Sequence, residues 1–231
     1  MTLAVTDLVL RRGPAQILHG VCLTVTAGEV VCLAGPNGAG KSSLLDVVAG
    51  LHPLHSGQVE VLGSPAGSDA AKRLVGALPA APPLYDQLSA REHLQLLARL
   101  WGLSDDRVDE VVASLDLGSL LEQPAGQMSL GQRQRLALGV VTLHGPRLLL
   151  LDEPFNGLDA GTTALLRDVV ADCAAGGGVV LVATHLLDVL DGLATRLVYL
   201  HEGRVLHDVP VPLATHLSEL TTRFGVEYAP W

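Results

Sequence analysis

The stretch GPNGAGKSS at positions 35–43 follows the β-forming run VVCLA and precedes LLDVVAG, whose apolar residues recur at helical spacing. A chain carrying it must end a strand at Gly35, turn through a glycine-rich loop and open a helix at Lys41. The spacing Gly35-x-x-x-x-Gly40-Lys41-Ser42 is that of a phosphate-binding P-loop in its required strand–loop–helix context. Glycines let backbone N–H groups turn inward to phosphate oxygens, and the helix start adds a partial positive charge. The expected cradle is Gly35, Pro36, Asn37, Gly38, Ala39, Gly40, Lys41, Ser42 and Ser43. Lys41 is expected to reach the β- and γ-phosphates, and the Ser42 hydroxyl to ligate Mg²⁺. Four fixed positions match by chance about once in a hundred such chains, and the flanking elements lower that further.

The rest of the chain builds a fold around this loop. Strand-like runs occupy 3–10, 21–26, 30–35, 58–63 and 74–78. From Pro82 to about Gly145 helical patterns take over, in REHLQLLARLWG, DDRVDEVVASLDLG and MSLGQRQRLAL. RLLLLDEP at 147–154 returns to a buried strand, TTALLRDVVADCA to a helix and VVLVATH to another strand. LVYLHEGRVL at 197–206 reads as a hairpin turning at Glu202-Gly203. Strands alternating with helices imply an α/β fold with a mainly parallel sheet covered on both faces, carrying an inserted helical lobe at 82–145. The chain is expected to be one domain over 1–231, with a C-terminal extension at 207–231.

Composition excludes several functions. A net charge of −9 argues against a protein that coats nucleic acid, which needs a basic stripe. The N-terminal MTLAVTDLVLRRG lacks the layout of a signal peptide, and no apolar run approaches the ~20 residues of a membrane span. The three cysteines, Cys22, Cys32 and Cys173, are odd in number and widely spaced, as expected of small core residues in a reduced cytosolic protein.

Asp152-Glu153 ends the LLLL strand at the edge where open α/β sheets place their ligands. One carboxylate can hold Mg²⁺ and the next polarise an attacking water; otherwise the pair caps a buried strand. His185 ends VVLVATH and emerges at the same edge, either to meet a γ-phosphate or as a hydrogen-bonded structural residue. Ser129 is placed to cap the helix that follows it, and Gly131 permits close backbone approach. This second anion-receiving helix start lies in the inserted lobe, so it is expected to face the nucleotide of a second subunit arranged head to tail.

GPNGAGKSS, MSLGQ, LLLLDEP, NGLD and ATH, in this order, resemble the ATP-binding cassette (ABC) family over about residues 3–206. The resemblance implies a P-loop core, an antiparallel β-subdomain and a helical subdomain, with two cassettes enclosing two Mg-ATP molecules. It implies that Ser129, Gly131 and Gln132 are signature contacts to ATP, that Asp152 serves Mg²⁺ and that Glu153 is the general base. Asn156 to Asp159 match the loop crossing between subunits, and His185 the switch histidine. Further implications are a second ABC subunit, integral membrane permease subunits and a cytoplasmic place at the inner face of the membrane. The stretch LYDQLSAREHLQLLARLWGL resembles the ATPases of small-molecule exporters, and also the haem-exporter type.

Three positions depart from the family. Arg12 stands near the place of an aromatic that stacks on adenine; a guanidinium can stack on a flat ring, or the side chain is simply solvated. Leu130 replaces the usual signature glycine. Ala80 replaces a glutamine that senses Mg²⁺ and the attacking water, and Gln87 lies seven residues on. The leading expectation is therefore the ATP-hydrolysing subunit of an ABC transporter, an exporter. The alternatives are a soluble ABC ATPase of ribosomes or DNA, and a weakly hydrolytic subunit of a heterodimer.

Overall fold

The computed structural model describes residues 2–211; residues 212–231, most of the expected C-terminal extension, lie outside the described residues. β1 (Thr2–Arg12) and β2 (Ala15–Thr26) form a long antiparallel hairpin. β3 (Val30–Ala34) feeds the P-loop and α1 (Lys41–Val48). β4 (Ser56–Val61), the two-residue β5 (Ser64–Pro65) and the single turn α2 (Asp69–Lys72) lead to β6 (Val75–Leu78). α3 (Ala90–Trp101), α4 (Asp105–Ser114) and α5 (Leu130–Thr142) make the helical segment. β7 (Leu148–Asp152), α6 (Ala160–Ala175), β8 (Val179–Ala183), β9 (Arg196–His201) and β10 (Arg204–Pro210) complete the described chain.

Two sheets result. The antiparallel sheet has the order β2-β1-β4-β5, and the larger has the order β10-β9-β3-β8-β7-β6. Within the larger sheet every neighbouring pair is parallel except the edge pair β9–β10. β3, β7 and β8 are buried at every residue, which explains their unbroken apolar runs. Alternate side chains divide between two cores. Val30 and Cys32 join the core shared with α3 to α6, whereas Val31 and Leu33 join the core shared with α1 and the antiparallel sheet.

Several elements differ from the sequence expectation. β2 begins at Ala15, six residues before the expected strand. Its register jumps between Leu8↔Val21 and Val9↔His19, leaving Gly20 unpaired at φ 71°. That bulge breaks the alternation by which a strand is recognised. β8 ends at Ala183, so Thr184 and His185 lie in the loop beyond it. The hairpin turns at Glu202-Gly203 as expected, but β10 runs on to Pro210, so position 207 falls inside a strand. Arg196 on β9 holds Asp208 on β10 through both carboxylate oxygens, which secures that continuation. Cys22 is not a core residue: β2 buries Val21 and Leu23 and turns Cys22 outward, beside Asp7.

The helical segment joins the sheet core through Leu94, Val111, Leu115 and Leu136. Its helices start firmly. Ser89 accepts from the Glu92 N–H while its own N–H donates to the Glu92 carboxylate, a capping box. At the far end of α3, Trp101 stacks on His144 with ring centroids 4.5 Å apart, and His144 Nε2 lies 3.1 Å from the Val75 carbonyl.

Candidate functional site

The strand order places four loops side by side. The carboxyl ends of β3, β8, β7 and β6 lie in a row and carry, in that sequence, the P-loop, Thr184-His185, Asp152-Glu153 and Pro79-Ala80. Sequence-distant residues thus share one sheet edge, where open parallel sheets bind ligands.

The P-loop takes a shape that depends on its glycines. Gly35 has φ 147°, and a Cβ there would stand 2.0 Å from the Leu200 carbonyl oxygen. Gly40 has φ 103°, and a Cβ there would stand 2.8 Å from Leu18 Cδ2. The side chain of Lys41 folds back across the loop and donates to the carbonyls of Gly35 at 2.7 Å and Pro36 at 3.2 Å. The ammonium is therefore held above the loop, where a phosphate chain would pass.

Asp152 ends β7 and is only 8% exposed. Burial pushes its carboxyl above the usual carboxylate range; the Ser42 hydroxyl, which donates to it, and the Lys41 charge oppose that, while Glu153 and Asp46 add to it. Its Oδ1 is buried with no hydrogen-bond partner. A buried anionic oxygen left unmatched beside a hydroxyl and further carboxylates is a set of hard donors lacking a cation, and it fits Mg²⁺.

Glu153 follows in a left-handed backbone conformation, φ 46°, costly for a residue with a side chain. Its N–H donates to the Ala183 carbonyl at 2.8 Å, pinning the strained residue to the end of β8. Oε2 of Glu153 then meets Nδ1 of His185 at 2.9 Å. Thr184, fully buried, holds the loop between them: its N–H donates to the Leu33 carbonyl and its hydroxyl accepts from the Leu186 N–H.

The second helix start is equally ordered. Ser129 caps α5 by accepting from the Gln132 N–H at 3.3 Å, and Gln132 Oε1 accepts from the Ser129 N–H at 2.9 Å. Gly131 makes its close approach within the chain: a Cβ there would lie 3.3 Å from both Asp159 Oδ2 and Thr162 Oγ1. Asp159 caps α6 by accepting from the Thr162 N–H at 2.8 Å. Leu130 is exposed and lies over Gly157. Arg133, one turn into α5, pairs with Asp86 at 2.8 Å and donates to the Ala125 carbonyl, tying this helix to the segment after β6.

Arg12 lies at the end of β1, and its guanidinium is paired with Asp46 on α1 at 3.3 Å. Ala80 and Gln87 are both exposed. Three contributors escaped the sequence reading. Asp46 is the lone acid among the apolar residues of α1, and its place four residues after Ser42 was the available signal. Buried Gln134 donates to the Pro154 carbonyl at 3.0 Å, joining α5 to the loop after β7. Thr184 is the third, and nothing in its local pattern marks it.

Comparison with known proteins agrees with this geometry. Residues 18–156 match the family model described as ABC transporter. The chain is 31% identical over 218 residues to the lantibiotic transport ATP-binding protein SrtF of Streptococcus pyogenes, covering 94% of this chain and 95% of that one. It is also 31% identical over 209 residues to the bacitracin transport ATP-binding protein BcrA of Bacillus licheniformis, covering 89% and 68% respectively. A solved structure of an ATP-binding subunit of an ABC transporter superposes with a TM-score of 0.85 at 29% identity, over 99% of this chain and 95% of that one. The two sheets and the helical segment thus form a fold shared with transport ATPases, and the chain belongs to the ABC transporter family as an ATP-binding subunit.

Proposed function

We propose that this subunit hydrolyses Mg-ATP at the β3–β8–β7 edge and powers export through separate membrane subunits. The observation that carries the reading is the convergence of Lys41, the unmatched Asp152 oxygen and the Glu153–His185 pair on that one edge.

The P-loop amides and Lys41 bind the phosphate chain and hold it in line. Ser42 and Asp152 would hold Mg²⁺, which would supply neutralisation of charge on the phosphate chain. Glu153 accepts the proton of the attacking water. His185, oriented by its hydrogen bond to Glu153, keeps that carboxylate aimed and contacts the γ-phosphate. Ser129, Gly131 and Gln132 receive the nucleotide of a second cassette, since a capped helix N-terminus favours negative charge. Closure of two subunits then completes each site.

Export is supported by relatives named for lantibiotic and bacitracin transport and, at 34% identity over 84% of this chain, for Nod factor export in Rhizobium. The shared feature of these relatives is an ATP-binding role, so cargo choice is assigned to the membrane subunits. Among the described residues no helix is long and apolar enough to cross a membrane, which agrees with spanning segments supplied by other chains.

The test is ATP turnover by the purified chain, alone and with membrane proteins recovered by pull-down from detergent-solubilised membranes. Turnover that vanishes in Lys41→Ala and rises with a co-purified membrane protein supports the reading. Turnover insensitive to Lys41→Ala would refute the site.

A further inference from the structure

A small, partly open cleft lies between α1 and the ends of β6 and β7. Leu45, Asp46, Ala49, Leu78, Leu150 and Asp152 are among the residues that line it, and its volume of about 20 Å³ leaves room for one water. The two carboxylates are its only charged walls, and one of them carries the buried, unmatched Oδ1.

Asp46 is not placed there by chance packing. It lies four residues after Ser42 on α1, so both side chains share one helix face. From the other side Arg12 pairs with it at 3.3 Å, and His52 Nε2 stands 3.9 Å away. The carboxylate is thus flanked by the Arg12 guanidinium at the end of β1 and by the His52 ring. Two like charges across a water-sized space repel, and burial strengthens the repulsion. A divalent cation at Asp152 would relieve it.

We propose that Asp46 is a positioning residue for the bound cation, acting on Mg²⁺ through one water in this cleft and not as a direct ligand. This rests on the nucleotide site proposed above. A water donating to both Asp152 and Asp46 would link the two carboxylates and hold Asp152 oriented toward the metal. On this arrangement the Arg12 guanidinium pairs with Asp46 at the surface and is not needed to place the cation.

The experiment measures ADP affinity of the full chain by calorimetry, once in excess EDTA and once in excess Mg²⁺. The ratio of the two Kd values isolates the metal's contribution. Asp46→Asn should lower that ratio about fivefold while leaving affinity in EDTA unchanged or tighter, because a neutral amide attracts the cation less. Asp46→Glu, which keeps the charge, should hold the ratio within about twofold of the parent. Arg12→Gln should also keep it, since the carboxylate remains. An Asp46→Asn ratio equal to the parent's would overturn the proposal, and so would an equal fall in Arg12→Gln, which would make Asp46 a mere anchor for Arg12. A parent chain that fails to bind ADP at all would overturn the nucleotide site itself, a separate result.

Discussion

His185 Nδ1 stands 2.9 Å from Oε2 of Glu153, across the gap between the ends of β8 and β7. With the carboxylate charged, Nδ1–H donates and the ring's tautomer and direction are set by Glu153. The pair is built on a strained residue, since Glu153 holds φ 46°. Strain of about 1–3 kcal/mol at such a position persists only where neighbouring bonds over-determine it. The bond to the Ala183 carbonyl does so here.

Glu153→Gln keeps the shape and removes the base. Phosphate release should fall about a hundredfold or more, as expected for loss of general-base catalysis. Nucleotide binding should survive, and the solution mass should double with Mg-ATP but not with ADP. A mutant that turns over ATP at the parent rate would refute the role of Glu153.

Asp152→Asn should separate stability from function. The folded carboxyl titrates above its usual 3.8, so its charged form is a cost to the fold that is present at neutral pH. That cost disappears as pH falls below the unfolded value. Replacing the charge with an amide should therefore stabilise the nucleotide-free protein, while Mg²⁺-dependent turnover is lost. Thermal melts of the two proteins at neutral pH, without metal, give the comparison; a lower transition in the variant would contradict it.

Ser129→Ala removes the cap of α5. Loss of the hydroxyl acceptor should cost about 1 kcal/mol. Placed in the Glu153→Gln background, it should also abolish the ATP-dependent doubling of mass while ADP affinity of the single subunit stays unchanged. Mass measurements by light scattering decide this, and persistent doubling would remove Ser129 from the subunit interface.

His144 links acid stability to the helical segment. Burial lowers its pKa from 6.5, opposed by the hydrogen bond to Val75 and reinforced by the Arg107 charge. A histidine with a depressed folded pKa contributes stability above 6.5 that is lost as pH falls through the folded value. His144→Phe should keep the stack on Trp101 and lose the bond to Val75, costing about 1 kcal/mol at neutral pH. The parent should then lose more stability than the variant between about pH 7.5 and 5.5. Equal losses in the two proteins would exclude His144 as the source.

The P-loop, the buried strands and the helical segment were legible in the sequence because each follows from local spacing: glycine positions, apolar runs and a 3.6-residue period. Asp152, Glu153 and His185 could be placed at one edge because strand ends in a parallel sheet converge there. What escaped depends on distant partners. The first half of β2 is hidden by the bulge at Gly20, and Arg12 is directed by an acid 34 residues away. Gly131 reads as room for close backbone approach, but that Asp159 and Thr162 of the same chain stand there is not visible locally. Asp46 shows only as a polar residue in an apolar helix, and that it shares a cleft with Asp152 depends on where β7 ends.

The outward turn of Cys22 gives the molecule one addressable thiol. Burial raises the pKa of Cys32 to about 12 and also raises that of Cys173, so both resist deprotonation, while Cys22 is exposed. Since the thiolate is the reacting form, a maleimide dye at neutral pH would attach at exposed Cys22 ahead of the other two. The antiparallel sheet can therefore carry a fluorophore with no cysteine removed, and distances from it to a labelled nucleotide would follow subunit closure in real time.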